Sequence, residues 1–320
     1  SAEFAERVFQ QIMGFGEYGF PESHATSFAL LAYATSYLKC HYPAVYLTAL
    51  LNSQPMGFYR PAQLIREAQD HGVRVLPADV SHSDWDSTLT DPTTVRLGFS
   101  LLRGLTEAAA TSISTARNHE AFRDFADFDR RTRLPVPMRK LLATADCFQS
   151  LGLNRRQALW ESLARPIDLE KQPLFADVVE DVELVDLPQQ ELYEQVLQDY
   201  AQAGLSLKGH PMAFHRQWLV GQGARTCQEL ATTNQIKVRI GGLVILRQRP
   251  GTAKGITFVT LEDETGQANL ILHPATWKKY YDVCRCSPVW LVSGKLQRQH
   301  DIVHLIVEDI QSMGDRKSVV

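Results

Sequence analysis

Three groups of residues in this 320-residue chain have the types and spacing to do chemistry. Ser23 and His24 follow Pro21 and Glu22, at the head of a run that nothing breaks until Cys40. Proline suits the first turn of a helix because its missing N–H is not needed there. Free N–H groups and the macrodipole at such a start favour an anion, so Ser23 and His24 are candidates for holding a phosphate. The plainer alternative, serine as cap and histidine as filler, stays open because serine is common at helix starts. Asp84 and Asp86, two apart, would face the same way on an extended chain and offer two carboxylates to Mg²⁺. Their setting, S-H-S-D-W-D-S, has the composition of a polar turn, and a turn is the reading adopted. His210 beside Pro211 reads in the same way, as a structural histidine in a turn. No catalytic residue and no metal ligand is assigned.

The segment that must position Ser23 and His24 is Gly14 to Asn52. Gly14, Gly16 and Gly19 alternate with Phe15, Tyr18 and Phe20, and a helix is expected from about Glu22 to Cys40. Phe28, Leu31, Ala32, Thr35 and Leu38 make one face; Leu30, Tyr33 and Tyr37 mark a second. A helix apolar on two faces is expected to be central. Pro43 ends it and a short helix follows; Phe4, Val8, Phe9 and Ile12 stripe a helix before it. A further helix opens at Arg60 or Pro61 and closes at Gly72, and V-R-V-L-P-A-D-V reads as a short strand.

The run F-G-E-Y-G-F-P-E-S-H-A-T-S-F-A-L-L-A-Y, with L-L-N-S-Q-P-M-G-F-Y after it, resembles the fingers region of bacterial DNA polymerase III alpha-type (class C) enzymes. The similarity is greatest to their error-prone, mutagenesis-associated ImuC-type branch, and it extends to about Met313. The resemblance implies the C-terminal part of a DNA-damage-induced translesion DNA polymerase, a nucleotidyltransferase of the bacterial cytoplasm. Its metal-binding carboxylates would lie in a palm upstream of residue 1. Mg²⁺ is therefore expected for the full polymerase, no cofactor for this piece, and no polymerisation by this piece alone.

T-T-V-R-L-G-F-S-L-L-R-G-L-T-E-A-A-A-T-S-I begins as a strand over Val95–Phe99 and continues, from Leu101 to Ile113, like half of a helix–hairpin–helix. Arg103, Gly104 and Thr106 form its tip. The motif normally reads glycine–apolar–glycine; Thr106 departs from it and serves as an N-cap. A second tip, Gly152-Leu153-Asn154, leads into Arg155 and Arg156. Cations at a helix N-terminus oppose the dipole, so an external anion is expected there. The resemblance implies that such a tandem pair grips a duplex across the minor groove. The bland alternative is a helical domain with an arginine-rich surface.

From Ile236 the period changes to strands, five of them with a helix between the third and fourth, the order of an OB-fold barrel. The paired Gly241-Gly242 lets the first strand coil. OB-folds bind single strands through cations and stacking aromatics, here Lys237, Arg239, Arg247, Arg249, Lys254, Phe258 and Lys295. Trp277, Lys278 and Lys279 belong to the helix that plugs the barrel. The same surface serves equally to dock a protein.

The fold class is therefore multi-domain α+β: a helical fingers remnant (1–90), a tandem helix-hairpin-helix domain (91–165), an acidic linker with a helix (166–235), a C-terminal OB-fold β-barrel (236–313) and a tail (314–320). Charge alternates with these blocks. Basic and acidic residues number five and nine in 1–90, twelve and eight in 91–165, four and eleven in 166–235, and twelve and eight in 236–320. Basic blocks are the usual footprint of phosphate contact. The expected partners are primer–template DNA, single-stranded template and adaptor proteins of a mutagenic polymerase complex. Lys171–Phe175, K-Q-P-L-F, has its glutamine misplaced for a sliding-clamp peptide, and direct clamp binding is not expected. No apolar run is long enough to span a membrane. The start, S-A-E-F-A-E-R, reads as that of a fragment, and the five scattered cysteines read as free thiols in a reducing compartment.

Overall fold

The computed structural model describes residues 2–18, 22–57, 59–164, 187–299 and 302–314. These fall into two units, 1–78 with 82–100, and 79–81 with 101–320. The first holds α1 (Ala2–Tyr18), α2 (Glu22–His41), α3 (Pro43–Asn52), α4 (Pro61–Asp70), and the strands β1 (Arg74–Leu76), β2 (Thr88–Asp91) and β3 (Thr94–Arg96). Proline opens α3 and α4, and Gly72 at φ 83° turns the chain out of α4. The sheet order is β1-β3-β2, parallel between β1 and β3 and antiparallel between β2 and β3. Ala44, Leu47, Leu51, Ile65, Val75 and Val95 are among this unit's buried side chains.

Three expectations need correction here. Val95–Phe99 is not one strand: β3 stops at Arg96, and Phe99–Leu101 forms a 3-10 turn. The backbone N–H groups of Phe99 and Ser100 donate to the carbonyls of Asp84 and Trp85, which pins the Asp84–Asp86 turn. Gly98 permits this approach, since a Cβ there would lie 2.3 Å from the Asp86 carbonyl carbon. The expected boundary after residue 90 falls inside β2, which went unrecognised. Finally, α2 is not central among these residues: Leu30, Leu31, Tyr33 and Tyr37 are exposed.

The second unit contains α5 (Glu107–His119), α6 (Phe125–Thr132), α7 (Val136–Thr144), α8 (Arg155–Ala164), α9 (Leu192–Ala203), α10 (Arg216–Gly221) and α11 (Glu229–Thr232). Then come β4 (Lys237–Gln248), β5 (Thr257–Asp263), β6 (Gly266–Leu272), α12 (Pro274–Lys279), α13 (Tyr281–Cys286), β7 (Val289–Gln299) and β8 (Ile302–Ser312). Phe125, tilted, and Phe128, edge-on, each meet the Phe148 ring at 5.0 Å, and Phe122 adds an edge contact on Phe128 at 5.2 Å. These rings are buried, as are Ile113 of α5 and Leu142 of α7.

The barrel closes in the order β4-β5-β6-β8-β7, with β6 and β8 parallel and the other pairs antiparallel, as in an OB-fold. Trp290, Ile240, Leu261, Val292 and Leu305 fill it, and Trp277, Tyr280 and Val283 of α12–α13 pack against that core. The glycines act by close approach. A Cβ on Gly242 would stand 2.7 Å from the Glu262 carbonyl oxygen, and one on Gly294 2.0 Å from that of Ile306. No helix among the described residues is long and apolar enough to cross a membrane. The cysteines are unpaired: Cys147, Cys227 and Cys284 are buried, Cys40 and Cys286 exposed.

Candidate nucleic-acid interface

The two hairpin tips are built alike. Each has a 3-10 turn before its glycine, Phe99–Leu101 and Gln149–Leu151, where a full helix is usual. Gly104 turns at φ 89° and Gly152 at φ 75°, in the left-handed region that glycine enters without a Cβ penalty. Both glycines are exposed, while Leu105 and Leu153 after them are buried as anchors. The helix then starts with a capping side chain. Thr106 Oγ1 accepts from the Ala109 N–H at 3.2 Å at the head of α5. Asn154 Oδ1 accepts from the Gln157 N–H at 3.0 Å, and Gln157 Oε1 accepts from the Asn154 N–H at 3.1 Å, a reciprocal capping box at the head of α8. A helix start leaves further N–H groups without intrahelical partners, and the macrodipole adds positive potential there.

The arginines divide. Arg103 is exposed and reaches the Ala201 carbonyl at 3.3 Å. Arg156 is 36 % exposed and donates to Glu194 Oε2 at 3.0 Å and to the Pro188 carbonyl at 2.9 Å. Arg155 departs from expectation: only 4 % exposed, it faces inward. It donates to Asp199 Oδ1, to Gln198 Oε1 at 3.1 Å and to the Gln195 carbonyl at 3.1 Å, with Asp146 at 3.6 Å. The anion that a cation at a helix start calls for is thus supplied by the chain itself, from α9. Lys208, unremarked in the sequence, joins the same cluster through Asp146 at 2.6 Å and Gln195 Oε1 at 2.8 Å. Charge complementarity between the 91–165 and 166–235 blocks was the available signal.

On the barrel, strand register carries Lys237 to Lys295, Lys295 to Ile306, Ile306 to Ile271, Ile271 to Phe258 and Phe258 to Gln248. Three expected residues therefore share one band, and the exposed Arg249 and Lys254 lie in the loop that follows Gln248. Phe258 is exposed, as a stacking platform must be. Glu308 stands 3.8 Å from Lys237 and 3.5 Å from Lys295. Two cations are engaged elsewhere: Arg239 donates to the Gln222 carbonyl at 3.1 Å, and Arg247 to that of Ser287 at 2.7 Å. Arg247 also lies over the Trp290 ring, and burial lowers its pKa.

Ser23 and His24 fall within α2, but their side chains lie outside the described residues, as does all of Lys171–Phe175. His210 is a buried turn residue whose Nδ1 accepts from the Met212 N–H at 3.2 Å. No group of three or more acidic, histidine or cysteine side chains is placed to hold a metal among the described residues.

Comparison with known proteins agrees with this architecture. The helix-hairpin-helix motif family matches residues 72–158, and the OB-fold nucleic acid binding domain family matches 238–313. An error-prone DNA polymerase of Rhodopirellula baltica is 46 % identical over 99 % of this chain, which covers 28 % of that protein. Those of Sinorhizobium medicae and Methylococcus capsulatus are 43 % and 44 % identical over 97 % of the chain, covering 30 % and 32 % of theirs. The chain thus spans about a third or less of the length of the curated relatives it matches, and homology to proteins named error-prone DNA polymerase runs through nearly all of it.

Proposed function

We propose that this chain is the DNA-holding C-terminal part of an error-prone, damage-induced DNA polymerase. In this reading the paired hairpin tips grip primer–template duplex, and the barrel band holds single-stranded template. The observation that carries the reading is the matched pair of exposed, left-handed glycine tips, each opening a capped helix. Two such starts present backbone amides and dipole ends to phosphates on a duplex. Arg103 and Arg156 are the side chains available to reinforce them, since Arg156 shares its charge with a half-exposed glutamate. Phe258, Arg249, Lys254, Lys237 and Lys295 supply the stacking ring and cations a single strand needs. Chemistry is assigned to the remainder of the polymerase, so this chain alone binds and does not extend a primer.

A salt titration with fluorescent primer–template tests the reading. The logarithm of the binding constant should fall linearly with the logarithm of salt concentration, and Arg156→Gln should lower that slope by about one. Salt-independent binding, or nucleotide incorporation by these 320 residues with Mg²⁺, would refute it. A second reading, docking of an adaptor protein on the barrel, draws on Glu308 beside Lys237 and Lys295 and on the exposed Ile236 next to them. It predicts that Phe258→Ala leaves single-strand binding unchanged.

A further inference from the structure

We propose that α9 is a ruler that fixes the separation of the two hairpin tips, with Asp199 as its positioning residue. The inference rests on the duplex-binding reading for its purpose, though not for its geometry. The first tip is tied to the end of α9. The backbone N–H of Arg103, the residue before Gly104, donates to the Gln202 carbonyl at 3.0 Å, and its guanidinium donates to that of Ala201. The last carbonyls of a helix have no intrahelical donors and carry partial negative charge, so a cation is well placed there. Gly204, at φ 73°, ends α9 and leaves room for the guanidinium: a Cβ would lie 2.9 Å from Arg103 Nη2.

The second tip is tied to the body of the same helix. Arg155, three residues past Gly152, engages Gln195, Gln198 and Asp199, while Arg156 engages Glu194. Asp199 is itself held by Ser206, whose hydroxyl donates to Oδ2 at 2.6 Å. From Gln195 to Gln202 is about 10 Å along a helix at about 1.5 Å per residue. Residues flanking both tips are thereby attached to one rod, two turns apart. An acidic helix could instead act as a guard that keeps DNA off the arginines, but Arg155 is sealed against it on several acceptors, which suits a permanent joint. The two roles predict opposite signs.

The test uses the whole chain with Asp199→Asn, Arg155→Gln and the double variant. Each single change should weaken duplex binding roughly tenfold, and the double should do no more. The salt slope should stay unchanged, because no phosphate contact is removed. Single-strand binding should also be unaffected. Tighter duplex binding by Asp199→Asn, or a slope lowered by about one in Arg155→Gln, would overturn the ruler. Should Asp199→Asn fail to fold, Ser206→Ala removes only the hydroxyl that holds Asp199 and is expected to weaken duplex binding in the same direction; an unchanged affinity counts against the ruler. A readout without DNA separates the two proposals. Spin labels at Thr111→Cys and Leu163→Cys, with Cys40 and Cys286 replaced by serine, report the spacing of α5 and α8. Asp199→Asn should broaden that distance distribution, and an unaltered distribution sinks the ruler. A sharp wild-type distribution with no duplex binding sinks the duplex reading alone.

Discussion

Replacing Asp263 by asparagine should loosen the segment that crosses the β5–β6 turn. The carboxylate is fully buried. It accepts from the N–H groups of Cys227 at 2.8 Å, Thr265 at 2.8 Å and Gly266 at 3.1 Å, from the Thr265 hydroxyl at 2.7 Å, and from Arg216 Nη2 at 2.9 Å. An amide keeps one accepting oxygen and aims an NH₂ group at the donors on the other side. Breaking a buried charge pair by removing one partner costs about 3–5 kcal/mol. Arg216 retains Glu264, at 2.5 Å, so a loss near the lower end, about 3 kcal/mol, is expected. Burial works to raise the Asp263 pKa, but Thr265, the Cys227 N–H and Arg216 outweigh it and hold the carboxyl below its ordinary range. A depressed carboxyl contributes stability above its unfolded pKa, about 3.9, and that contribution is lost as pH falls through the lower folded value. The gap between wild type and Asp263→Asn should thus be full at pH 7 and shrink below about pH 4. Hydrogen exchange of the β5 and β6 amides measures it. A gap under about 1 kcal/mol, no more than one ordinary hydrogen bond, would refute the reasoning. So would an equal gap at pH 7 and pH 3.

Three further outcomes are expected. Gly294→Ala places a methyl against the Ile306 carbonyl across the β7–β8 bulge and should destabilise the barrel by about 3 kcal/mol or more, read by urea unfolding followed through the buried Trp290. Thr106→Ala removes the α5 cap and should cost about 1 kcal/mol, whereas Thr106→Gly should cost only a few tenths; thermal melts distinguish them. Phe258→Ala should weaken binding of a short single strand by about 1–3 kcal/mol while leaving duplex affinity unchanged, as measured by fluorescence anisotropy.

The parts legible in the sequence were those written in neighbouring residues. Thr106 announced a cap because a cap is a contact three residues long. The barrel order followed from the change to a strand period and from the helix between the third and fourth strands. Arg155 was misdirected because its partners sit some forty residues away on α9, and no periodicity reports which charge block will fold against which. The helix expected within the acidic linker is present as α9, but its packing against the head of α8 was not legible. β2 was missed for another reason: Thr88–Asp91 is mostly exposed, so it lacks the apolar alternation that marks a strand. α2 shows the reverse case, where an apolar pattern was plain but cover for it is not among the described residues.

A five-stranded sheet closed on itself has no ragged side to which another chain can add. The open margins among the described strands are β1 and β2, three and four residues long and bearing Arg74 and Asp91. Neither is long enough to seed fibrous stacking. Clouding of concentrated stocks should come instead from greasy patches on α2, should clear with mild detergent, and should leave amyloid dyes dark.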